Sequence, residues 1–67
     1  MDSAKLKYVI ERSGFTQTRL AYELGMSKNT LNLKVNGKLR MNIQEAEMIC
    51  TKLGITDPHE KADIFLK

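Results

Sequence analysis

Asn29, Asn32 and Asn36 recur at helical intervals, and Leu33 falls beside them, so on a helix all four share one side. Asparagine holds a helix poorly, ranking well below Ala, Leu or Lys in intrinsic preference. What it offers is an acceptor and two donors at the end of a short stem. That set fits the major-groove edge of adenine, and a leucine among such residues fits a thymine methyl. Lys28, just ahead, can reach guanine O6 and N7 or a phosphate oxygen, and its residue type allows both. The chemistry open to this stretch is recognition through hydrogen bonds and charge.

Such residues need a frame. Thr16 and Ser27 each stand where an N-cap belongs, with a side-chain oxygen able to accept from the orphan amides of a first helical turn. Each is bracketed by an apolar pair, Phe15 with Leu20 and Met26 with Leu31, that fixes how the chain enters the helix. The spacing predicts one helix over about Gln17 to Leu24 and a second over about Lys28 to Asn36. Gly25 can take the left-handed conformation that ends the first, and only Met26 and Ser27 then separate it from the second, so the chain turns sharply. Leu20, Ala21 and Leu24 share an inward face. In the second helix only Leu31 and Val35 do, which leaves Asn29, Asn32, Leu33 and Asn36 outward.

The rest of the chain is read as support. Leu6, Val9 and Ile10 mark an opening helix over Ser3 to Ser13, capped by Ser3 or Asp2 and closed by Gly14, with Tyr8 a partly buried packing residue beside the stripe. Gly37 stops the Asn-rich helix, and Lys38-Leu39-Arg40 forms a loop. Asn42 with Glu45 makes a capping box for a fourth helix, whose stripe is Ile43, Ala46, Ile49, Cys50 and Leu53 up to Gly54. Asp57-Pro58-His59-Glu60 announces a fifth through a cap, a proline at the first helical position and a capping-box acid. There Ala62, Phe65 and Leu66 face inward, with Ile55 and Ile64 nearby. No strand-like alternation is present, so the fold expected is all-α, with five helices.

A chain of 67 residues makes one domain, 1–67, close to the lower size at which a single core folds without metal or disulfide. The one cysteine, Cys50, reads as a small buried hydrophobe, and no Cys and His set has zinc-ligand spacing. His59 reads as exposed. No apolar run reaches the length of a membrane span or signal peptide, so the expected location is the cytoplasm. The net charge of +3 is unevenly spread. Residues 16–40 carry Arg19, Lys28, Lys34, Lys38 and Arg40 against Glu23 alone, whereas residues 41–67 carry Glu45, Glu47, Asp57, Glu60 and Asp63 against Lys52, Lys61 and Lys67. The basic half is the half with the helix pair, as a phosphate-binding surface requires. No nucleophile and base pair, metal constellation or phosphate loop is present to suggest an enzyme, a cofactor or a small-molecule substrate.

The stretch from Gln17 resembles the helix-turn-helix of the phage Cro and lambda-repressor-like family, also called the XRE type. The likeness rests on Gln17, Leu20, Ala21, Leu24, Gly25, Met26, Ser27 and Leu31, followed by Asn36, Gly37 and Lys38. The five-helix layout extends it to nearly the whole chain. One departure stands out: where the family has an aliphatic residue followed by Glu, this chain has Lys34 followed by Val35, so the inward position moves along by one. A short phage-associated subset is similar in this ending. The resemblance implies a phage or prophage repressor in a bacterial host, at the nucleoid, bound to double-stranded DNA at a palindromic operator. It implies Lys28, Asn29, Asn32 and Leu33 as base readers, and Gln17, Asn36, Lys38 and Arg40 as phosphate contacts; Thr16 and Lys34 are expected at phosphates beside them. Family members usually bind as two-fold dimers, and the fifth helix, with Ile64 and Phe65, is the natural place for the contact, the other reading being that these two close the core. The competing reading is a protein-interaction module of the same fold, antitoxin-like or an anti-repressor partner.

Overall fold

Five side chains open five helices. In the computed structural model, which describes residues 1–66, Asp2 accepts from the backbone of Lys5 to begin α1 (Ser3–Arg12), and Thr16 and Ser27 do the same for α2 (Gln17–Leu24) and α3 (Lys28–Val35). Asn42 and Glu45 complete a reciprocal capping box at α4 (Ile43–Leu53), and Asp57 caps α5 (Pro58–Phe65) with proline at its first position. Among the described residues there is no strand. Asn36 is the C-cap of α3 and not its last helical residue.

One apolar cluster joins all five. Leu6, Val9 and Ile10 of α1 meet Leu20 and Ala21 of α2, Leu31 and Val35 of α3, Ile49 and Cys50 of α4, and Ile55 and Ile64 beyond. Phe15, Leu24, Met26, Met41, Leu53 and Phe65 pack around it. Burial pushes the Cys50 thiol above its ordinary pKa, so it packs as a small neutral group. α2 lies against both α3 and α4, and α1 against both α3 and α5. The chain's beginning is clasped to α5: the Asp2 N–H donates to the Ile64 carbonyl at 2.7 Å.

Four sequence expectations are corrected. Ile43 and Leu66 are both 83% exposed: Ile43 is the first residue of α4 and Leu66 the C-cap of α5, so each lies at a helix end. They border one open apolar groove with Ala46 and Phe65. Ile64, by contrast, is fully buried and closes the core, as one of the two readings of it had it. Tyr8 is 61% exposed, with the Arg12 guanidinium 5.8 Å from its ring centroid. Glu60 does not reach back to its cap. Its carboxylate accepts from Arg12 at 2.9 Å, tying α5 to the end of α1.

Candidate nucleic-acid interface

The turn between α2 and α3 is built from backbone first. Gly25 lies at φ 72°, ψ 28°, a left-handed conformation that carries a penalty for any residue with a Cβ. From there its N–H donates to the Tyr22 carbonyl at 3.1 Å, and the Met26 N–H to the Ala21 carbonyl at 3.0 Å. Two residues later Ser27 Oγ accepts the Thr30 N–H at 3.1 Å and donates to Thr30 Oγ1 at 2.9 Å. The hydroxyl of Thr30 is therefore engaged inside the first turn of α3.

Rotation of α3 follows from its two anchors. Leu31 and Val35 are fully buried, so the inward position does sit at Val35. Lys28, Asn29 and Asn32 are exposed on the other side. Leu33 is only partly exposed. Its carbonyl accepts the N–H groups of Lys38 at 2.9 Å and Leu39 at 3.2 Å, which folds the following loop back onto the helix. Gly37 enters that loop at φ 75°, and Lys38 and Arg40 extend from it into solvent.

Charge separates the candidate phosphate contacts into two groups. Lys34 does not stand free at the flank: its side chain is 13% exposed and its ammonium pairs with Glu45 of α4. That hydrogen bond, with a second from the Asn42 N–H, holds the Glu45 carboxyl below its ordinary range. Arg19 pairs with Glu23 at 3.4 Å. Among the described residues no ion pair involves Lys28, Lys38 or Arg40. Those three cations flank the start and the end of α3 uncommitted.

Polar side chains link the two helices. Asn32 Nδ2 donates to Gln17 Oε1 at 3.1 Å, and Asn36 Nδ2 donates to the Asn32 backbone carbonyl at 2.8 Å and to Asn32 Oδ1 at 3.2 Å. Thr16 Oγ1 accepts the Arg19 N–H at 3.1 Å, which leaves its own hydroxyl hydrogen to donate. The Asn32–Asn36 half of this set was readable from i, i+4 spacing. The bond to Gln17 was not, since it depends on how α2 and α3 cross.

A short, sharply turned helix pair, the second member anchored by two buried side chains and presenting amides and free cations outward, defines a helix-turn-helix DNA-binding domain. The family model of the Cro/C1-type HTH DNA-binding domain matches residues 5–60, and the chain belongs to that family. No curated protein and no solved structure matches the chain. Family membership points to DNA binding, and members are typically not enzymes. No helix among the described residues is long and apolar enough to cross a membrane.

Proposed function

We propose that this chain is a phage or prophage transcriptional repressor of the Cro type, which binds a palindromic operator as a two-fold dimer. The observation that carries the reading is the polarity of α3: Leu31 and Val35 are wholly buried while Lys28, Asn29 and Asn32 lie exposed opposite them. Laid in the major groove, α3 brings Asn29 to an adenine edge, with Lys28 beside it and Leu33 near a thymine methyl. Lys38 and Arg40 from the loop, with Thr16 and Gln17 at the start of α2, hold phosphates on either side. Asn36, expected among them, spends both amide hydrogens on Asn32 and is left with only an acceptor. Lys34, neutralised by Glu45, supports α3 from within.

For the dimer the open apolar surface of Ile43, Phe65 and Leu66 is the contact offered to a second copy. Two copies so joined place their α3 helices in successive major grooves, and promoter occlusion follows from occupancy.

Selection of bound duplexes from a random library, then titration of the winner at two salt concentrations, tests this. The expected result is an enriched palindrome with half-sites about 34 Å apart and a steep loss of affinity with salt. Weak binding without enrichment would overturn it and favour a protein partner for α3.

A further inference from the structure

The amides of Gln17, Asn32 and Asn36 form a chain whose direction is set at one end. Asn36 approaches the backbone carbonyl of Asn32 at 2.8 Å. A carbonyl can only accept, so the atom facing it is the Asn36 amide nitrogen, whose other hydrogen goes to Asn32 Oδ1 at 3.2 Å. That makes Asn32 Oδ1 an acceptor and turns the Asn32 amide nitrogen toward α2, where it donates to Gln17 Oε1 at 3.1 Å. Gln17 ends the chain as an acceptor. Its NH2 group, with two N–H donors and no acceptor, is left for something outside the protein.

We infer that this relay is a positioning device: the Asn36–Asn32 pair fixes the orientation of the Gln17 amide so that it presents donors, and not its carbonyl, to a DNA phosphate. Asn32 is then a positioning residue and not a base reader, and bases are read by Lys28, Asn29 and Leu33. An amide gripped from both sides has its plane set by α2 and by its own helix, whereas a base reader must align its free edge with the base. Gln17 opens α2, where the backbone amides of the first turn also favour an anion. The inference rests on the proposal that α3 enters the major groove.

The test uses Asn32→Ala, Gln17→Ala and the double variant, each measured on the selected duplex and on a panel of its single base-pair substitutions. Alanine favours the helix at position 32, so folding is retained. Each single variant weakens binding by about three- to tenfold, the size of one hydrogen bond, on every duplex alike. The salt slope is unchanged because no charge is removed. The double variant binds no worse than Gln17→Ala, since Asn32 acts only through Gln17. If Asn32→Ala alters preference at one base pair, or if the two losses multiply, the relay is wrong while DNA reading by α3 stands. A wild-type chain that selects no duplex at all overturns both.

Discussion

The ammonium of Lys34, near the end of α3, rests on Oε2 of Glu45 in the first turn of α4, while Oε1 of the same carboxylate accepts the Asn42 N–H at 3.0 Å. One side chain thus caps a helix and holds the end of its neighbour. The pair is largely covered, at 13% and 19% exposure, so solvent screens it less than a surface ion pair.

Lys34→Met should therefore cost about 1–2 kcal/mol at neutral pH, toward the lower end for a hydrogen bond to a charged group. The pKa of Glu45 is depressed in the folded state, chiefly by the Lys34 hydrogen bond. Its contribution is fully present above the unfolded value, about 4.3, and disappears as pH falls through the lower folded one. Urea titrations of wild type and Glu45→Gln should diverge at neutral pH and draw together as pH falls below the unfolded value and through the lower folded one. Parallel curves across that range would show that the pair contributes nothing.

Asn29 is exposed and takes no part in the amide relay. Asn29→Ala should weaken binding to the selected duplex by about 1–3 kcal/mol and leave random-sequence binding nearly unchanged. Competition titrations against both duplexes measure this. Equal losses on the two would remove Asn29 from the base readers.

Lys38 stands exposed on the loop after α3 and, among the described residues, takes part in no ion pair. Lys38→Ala should lower affinity for all duplexes alike and reduce the slope of log affinity against log salt by about one. A changed base preference, read by repeating the selection, would contradict this role.

Gly25 has nothing within 4 Å of the position a Cβ would take, so the cost of Gly25→Ala comes from the backbone alone. At φ 72° that cost is about 1–2 kcal/mol, and Gly25→Asn should recover part of it. Denaturation midpoints of the two variants give the comparison.

Local features were legible because each carries its own partner. Thr16, Ser27 and Asn42 cap amides three residues away, and Leu6, Val9 and Ile10 declare a face by spacing alone. The move of the inward position from 34 to 35 was readable for the same reason. Periodicity says which side of a helix is apolar but not whether anything lies over it, so Ile43 and Leu66 read as core and are exposed. Arg12 with Glu60, and Lys34 with Glu45, join different helices, and their pairing depends on packing angles. The same limit hid the bond between Gln17 and Asn32.

The bond from the Asp2 N–H to the Ile64 carbonyl makes the order of the helices along the chain separable from their arrangement in space. With α1 and α5 already side by side, a Gly/Ser bridge leading back to Met1, and a break in the turn at Gly14, would give a circular permutant that starts with α2 and finishes with α1. The α2–α3 connection through Met26 and Ser27 would be untouched. Such a chain would make its DNA-reading pair first during synthesis and receive α1, which packs on α3 and α5, as the closing piece.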